Sequence, residues 1–305
     1  MKEYEAVVIG GGPAGLTAGL YLSRYGLSTL LIERGLYGGQ IVNAGRVDNY
    51  PGFPVGISGM DLGQLMHDQA SKFGLNFATA EVTGIKQAGK LFEVTTDDEA
   101  CSAGVVIIAS GSNYRKMGVE GEERLTGRGV SYCATCDGFL FRNMDVAVVG
   151  GGDTAVTDAL ELSQHARRVY VIHRRDQLRA SQVVQRAGMS NTKIQFVWNS
   201  VVSKLEGGEK LSGLVLKDVK TGNTSRLEVA GVFVAIGLIP NSDPFRRFVE
   251  LDEAGNIPTD EMMRTALPGV FAAGDIRKNS ARQVAAAVGD GAVAAKSAFG
   301  YLKGG

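Results

Sequence analysis

The chain has 305 residues, enough for two domains that each bury a core, and it carries 32 basic against 32 acidic residues. With no formal net charge and no Lys/Arg run longer than a pair, nothing in the composition points to nucleic acid or an anionic membrane. No apolar stretch approaches the length of a membrane span, and three cysteines, an odd number, fit a reducing cytosol better than a secreted disulfide framework.

The opening Met1-Lys2-Glu3-Tyr4-Glu5 has acids where a targeting signal has bases. Ala6-Val7-Val8-Ile9 then reads as a parallel strand buried on both faces, and it runs directly into Gly10-Gly11-Gly12-Pro13-Ala14-Gly15. Gly10, Gly12 and Gly15 have the G-x-G-x-x-G spacing, whose missing side chains let backbone N–H groups and a positive helix end approach a pyrophosphate. A helix is expected from about 13 to 25, opening on a proline and closing at Gly26. A second strand over 28–32 delivers Glu33, 23 positions after Gly10, where a dinucleotide fold needs an acceptor for ribose hydroxyls.

Gly38-Gly39-Gln40 and residues 48–53 form a long turn-rich loop of a length that is usually functional. A helix over 59–73 follows, then short strands over 81–86 and 91–95, and a buried strand over 104–109 that ends in Ser110-Gly111-Ser112. There the chain crosses into a different region.

That region opens with Cys133-Ala134-Thr135-Cys136-Asp137. Two thiols at this spacing can close a small disulfide ring, and the adjacent carboxyl can shuttle the proton that thiol exchange needs. Half of a zinc site or two incidental thiols are the alternatives; zinc would want further ligands at matching spacing, and Cys101, His67, His165 and His173 are scattered. No metal is expected.

Val146-Ala147-Val148-Val149 and Gly150-Gly151-Gly152-Asp153-Thr154-Ala155 then repeat the first strand and turn 140 residues later, with a helix over 154–163. The next strand, over 168–172, ends at His173, again 23 positions after the first glycine of its turn. Where the first unit has Glu33, this one has His173-Arg174-Arg175, with Arg179 a helical turn on. An acid there would repel a ribose 2′-phosphate, whereas arginines take it in charge-assisted, often bidentate bonds. The second unit is therefore assigned NADPH and not NADH.

Further strands are expected over 194–198, 202–206, 211–217, 226–229 and 232–236, and residues 237–244 mark a second crossing. Gly269 to Asp275 reads as a strand delivering Gly274 and Asp275. A helix over 282–302 follows, rich enough in small residues to admit a second backbone or a flat ligand. The whole reads as an α/β protein with two Rossmann-like dinucleotide-binding domains, each layered on a parallel central sheet.

With these motifs in this order, the chain resembles the low-molecular-weight thioredoxin reductases, FAD- and NADPH-dependent pyridine nucleotide-disulfide oxidoreductases, along nearly its whole length. The resemblance implies an FAD domain over 1–112 and 242–305, with an NADPH domain over 113–241 inserted into it and carrying the cysteines. It places FAD against Gly10, Gly12, Pro13, Ala14, Gly15, Glu33, Gly39, Gln40 and Asn49, completed by Gly274, Asp275, Arg282, Gln283 and Val284. NADPH falls to Gly150, Gly152, Asp153, Thr154, Ala155, His173, Arg174, Arg175, Arg179 and Gly237.

Cys136 is then the thiol beside the flavin, Cys133 the one that attacks the partner disulfide, and Asp137 the acid/base. Thioredoxin or a thioredoxin-like protein is the implied acceptor, in a cytoplasmic homodimer with no membrane or nucleic-acid partner, and with rotation about the two crossings between half-reactions. Ala281 stands where many relatives carry an aromatic residue or histidine before the Arg-Gln pair. The competing functions are a flavin disulfide oxidase, a reductase of a low-molecular-weight disulfide, transfer to an iron–sulfur protein, and a non-catalytic FAD-binding redox sensor. The arginines count against an oxidase, and the cysteine pair against the iron–sulfur activity.

Overall fold

The structure is a computed structural model, and it describes residues 1–304. The chain divides into two compact units, one formed by Met1–Asn113 with Ile239–Gly305, the other by Tyr114–Leu238. In the first unit the apolar run lies in strand Lys2–Ile9, flanked in parallel by Thr29–Glu33 and Ala100–Ile108. Asn76–Thr79 extends the sheet beyond Thr29–Glu33, and Val270–Ala272 also pairs with Ala100–Ile108. The antiparallel strands Leu91–Thr96 and Val82–Ala88 finish the other edge.

Side chains alternate across a strand, so a continuous apolar run serves two cores. Ala6 and Val8 pack with Leu16, Ala18 and Leu22 of the helix Pro13–Arg24, whereas Val7 and Ile9 face Phe245, Val249 and Ile257. Each fully buried Val or Ile contributes about 1.5–3 kcal/mol, which holds the strand in place without any amphipathic alternation. The small-residue helix Val284–Leu302 lies against Pro13–Arg24, and a Cβ on Gly291 would come within 2.2 Å of the Ala14 carbonyl. Close helix packing explains Gly291, while Gly289 faces open space.

The second unit repeats the plan in five parallel strands ordered Ile194–Val197, Arg168–Ile172, Asp145–Val149, Gly231–Val234 and Val130–Ser131. Val146 and Val148 pack on Ala155, Ala159 and Leu162 of the helix Asp153–Ser163. Ala147, Val232 and Val234 face an antiparallel sheet of Ser200–Gly207, Leu211–Asp218 and Thr224–Leu227.

Several expectations need correction. The strand expected over 226–229 is Thr224–Leu227, because register against Leu214–Lys217 fixes it earlier, and that over 232–236 is Gly231–Val234. The last helix begins at Val284, since Arg282 has a φ of 55° that no helix tolerates. Helix Gln182–Ser190 and strands Asn76–Thr79 and Val130–Ser131 were not expected; the strands are too short for a periodic signal. Among the described residues no helix is long and apolar enough to cross a membrane.

Candidate active site

The first glycine turn is shaped by its own backbone. Gly10 has a φ of 107°, in the region where side chains are rarely accommodated, and a Cβ on Gly15 would sit 1.8 Å from the Gly10 carbonyl oxygen. Gly12 is different: a Cβ there would meet nothing within 4 Å, and the helix that starts after it has no capping side chain. The turn therefore presents an open, positively polarised helix end, which fits a dinucleotide pyrophosphate.

Glu33, Gly39 and Gly274 gather at this turn, and other expected residues pair with one another. Glu33 accepts from the Gly11 N–H at 2.6 Å and from the Gly35 N–H at 2.8 Å. Gly38 donates to the Gly11 carbonyl at 2.7 Å, setting Gly39 close to Gly12. Gly274 approaches Ala14, and the neighbouring Asp275 accepts from Ser280 Oγ at 2.9 Å while burial pushes its carboxyl upward. Asn49 Nδ2 reaches Gln283 Oε1 at 3.1 Å across 234 residues of chain. Gln40 donates to Asn113 Oδ1 at 2.7 Å, and Asn113 in turn to Asn241 at 2.9 Å, beside the two crossings.

Sequence reasoning missed the ion pair that supports the Gly274 loop. Arg277 binds Asp290 through Nε at 2.8 Å and Nη2 at 3.0 Å, both side chains are largely buried, and Asp290 also accepts from the Gly274 N–H at 3.0 Å. A single acid and a single arginine 13 residues apart carry no pattern by themselves.

The second turn has the same construction. Gly150 has a φ of 156° and approaches Ala155, and Gly152 is open above an uncapped helix start. Gly151 lies against the His173 ring as Gly11 lies against Glu33, so strand-end residue and middle glycine are matched in both units. His173 itself is 5% exposed, and burial, followed by the nearby arginines, lowers its pKa. Its ring thus packs under the turn, and burial there favours the neutral form.

The cluster consists of Arg174, Arg175 and Arg179, all exposed, and none of them pairs with a carboxylate among the described residues. They line a surface pocket of about 500 Å³ together with Asp176 and Lys220. Asp176 is held by Lys220 at 3.0 Å, which keeps its carboxyl charged but neutralises the one acid in a pocket otherwise suited to an anion. Arg179 N–H donates to the Gly151 carbonyl at 2.7 Å, and Asp153 accepts from the Ser181 N–H at 2.9 Å, so the turn and the arginine segment are tied together. Thr154 is exposed in the first turn of the helix, and Gly237 faces open space.

Cys133 and Cys136 are joined by a disulfide. Cys133 caps the one-turn helix Ala134–Asp137, its Sγ accepting from the Cys136 N–H at 3.2 Å. Asp137 ends that turn half-buried, its carboxyl raised by burial and partly offset by a bond from Ser131 Oγ at 2.6 Å. A shift in this direction favours the protonated form over that of a free aspartate, which is what general acid work next to the disulfide would need. Buried Glu122, also unanticipated, accepts from the Met117 and Gly118 N–H groups and the Tyr132 hydroxyl, locking the segment that leads to Cys133. Cys101 is buried away in the first unit, and burial pushes its thiol up, so it is the less reactive thiol.

The family model described as pyridine nucleotide-disulphide oxidoreductase matches residues 4–291. The thioredoxin reductase of Listeria monocytogenes serovar 1/2a is 45% identical over 303 residues, covering 99% of this chain and 95% of that protein. The thioredoxin reductase of Bacillus subtilis strain 168 is 44% identical over 303 residues, covering 99% and 96%. The crystal structure of thioredoxin reductase from Streptococcus pyogenes MGAS5005 superposes with a TM-score of 0.95 at 44% identity, covering 99% of each chain.

Proposed function

The chain belongs to the pyridine nucleotide-disulphide oxidoreductase family, and on that premise we propose that it is a thioredoxin-disulfide reductase using FAD and NADPH. The observation that carries the reading is the Cys133–Cys136 disulfide with a half-buried carboxyl next to it in the chain, in the same unit as an open glycine turn and three arginines that form no ion pair among the described residues.

FAD is assigned to the discontinuous unit, where the open helix end at Gly12, Glu33, Gly39, Gln40, Asn49 and the Gly274-Asp275 turn with Arg282, Gln283 and Val284 supply its contacts. NADPH is assigned to the inserted unit, with Gly152 under the pyrophosphate and Arg174, Arg175 and Arg179 on the 2′-phosphate. When bound, the two cofactors supply the electron pair that opens the Cys133–Cys136 bond. The rest is done by the chain. Cys133 attacks one sulfur of the partner disulfide, Cys136 displaces the partner from the mixed disulfide, and the Cys133–Cys136 bond is restored as the partner leaves with two thiols. Asp137 takes the proton given up by the attacking thiol and hands it to the departing partner sulfur, so the exchange runs with no net gain or loss of protons. A homodimer, a cytoplasmic setting and rotation between half-reactions about the crossings near Asn113 and Ile239 belong to the same proposal.

Anaerobic titration with NADPH and, separately, NADH, following flavin bleaching and then thiol release on adding thioredoxin, tests it. NADPH-selective bleaching with thiols appearing only when both cysteines are intact is expected. A flavin that stays oxidised with NADPH overturns the reading.

A further inference from the structure

We propose that Ser131 is the positioning residue of Asp137, its hydroxyl turning between two acceptors so that Oδ2 of the half-buried carboxyl keeps a hydrogen bond in either protonation state. The inference rests on the acid/base reading of Asp137 given above.

Ser131 ends the short strand Val130–Ser131, opposite Phe233, and is 6% exposed. Three groups surround its Oγ: Asp137 Oδ2 at 2.6 Å, the Cys133 N–H at 3.1 Å and the Cys133 carbonyl oxygen at 3.3 Å. One of these only donates, one only accepts, and the carboxyl does either according to its proton. A serine hydroxyl has one proton and two lone pairs.

With Asp137 ionised, Ser131 donates to it and receives the Cys133 N–H. With Asp137 protonated, the acid donates to Ser131, both lone pairs of Oγ are filled, and the hydroxyl proton turns to the Cys133 carbonyl. Neither state leaves Asp137 Oδ2, the Ser131 hydroxyl or the Cys133 N–H without a partner, and no heavy atom has to move. Proton transfer at Asp137 therefore avoids the penalty that a buried carboxyl with a single fixed partner would meet in one of its two states. The same hydroxyl holds the backbone of Cys133, so the acid and the attacking sulfur are positioned by one atom.

Other charges do not dictate the behaviour. On the helix Asp153–Ser163, which packs against this turn, Glu161 accepts from Thr135 Oγ1 at 3.0 Å, and Asp158 is pushed up to about 6 by burial and by Glu161. Glu122 on the preceding segment is taken by Tyr132 and two backbone N–H groups, and Arg142 follows the turn that Asp137 leads into. None of them bonds to Asp137; burial and Ser131 account for its shift.

The test follows the pH dependence of the reaction between pre-reduced holoprotein and thioredoxin by stopped flow. Ser131→Ala removes the bond from both states, and because the charge-assisted bond to the ionised carboxylate is the stronger of the two, the limb due to Asp137 should move up by about one pH unit. Ser131→Thr, which keeps the hydroxyl, should restore the wild-type profile, and in an Asp137→Asn background Ser131→Ala should shift nothing. An unmoved limb in Ser131→Ala, with Asp137→Asn impaired, overturns this inference and leaves the acid/base reading standing. An Asp137→Asn protein as fast as wild type overturns both. Should the Ser131 variants fail to fold, infrared difference spectra of the unmutated protein against Asp137→Asn decide: a protonated carboxyl band without a hydrogen-bond donor shift overturns the proposal.

Discussion

Replacing Asp290 by alanine strands Arg277 in a largely buried position. The side chains are 15% and 12% exposed, the pair is bidentate at 2.8 and 3.0 Å, and the guanidinium cannot lose its charge. Its remaining partner is Thr259 Oγ1 at 3.1 Å, while the Gly274 N–H loses its acceptor altogether. Removing one member of such a pair costs about 3–5 kcal/mol, most of it the uncompensated charge. At about 2–4 °C per kcal/mol for a unit of this size, the melting temperature should fall by roughly 6–20 °C. The Gly274-Asp275 turn would loosen with it, so flavin affinity should drop as well.

A double-mutant cycle separates the causes. Arg277→Met with Asp290→Leu replaces both charges by apolar groups, and its melting point in thermal unfolding followed by circular dichroism should lie closer to wild type than that of either single variant. A change within about 0.5 kcal/mol for Asp290→Ala, or a double variant that simply adds the two single losses, would refute the reasoning.

Arg174→Ala or Arg179→Ala should weaken NADPH roughly ten- to a hundredfold, the loss of a charged bond worth about 1.5–3 kcal/mol, and leave NADH nearly unchanged; steady-state KM values for the two cofactors check this. Gly15→Ala should prevent folding of the first unit, since its Cβ would lie 1.8 Å from a backbone oxygen, whereas Gly12→Ala, with nothing within 4 Å, should fold and lose flavin; solubility and the flavin-to-protein absorbance ratio distinguish the two. Asp158 is raised in the folded state to about 6 by burial and Glu161, so the stability it provides is full below the unfolded pKa and is lost as pH rises through 6. Asp158→Asn should thus stabilise the protein by about 1–2 kcal/mol at pH 8 and not at pH 4, allowing for partial solvent screening, as urea midpoints at the two values would show.

Legible along the chain was whatever is written locally. The strand and turn at Ala6 to Gly15, their copy at Val146 to Ala155, and the contrast between Glu33 and the arginines after His173 rest on steric and charge requirements at fixed spacing along a few residues. The Cys133–Cys136 pair is of the same kind, since a three-residue separation closes on itself.

Packing of separate elements fixed the rest. It turned His173 inward under Gly151, joined Asn49 to Gln283, gave Asp290 to Arg277, packed Gly291 on Ala14, and set one serine hydroxyl among Asp137 and both backbone groups of Cys133. These are partnerships of side chains on separate elements, or of orientation about a single bond. Hydrophobic periodicity specifies which face of an element is buried, but the identity of the polar group waiting there depends on how the elements pack.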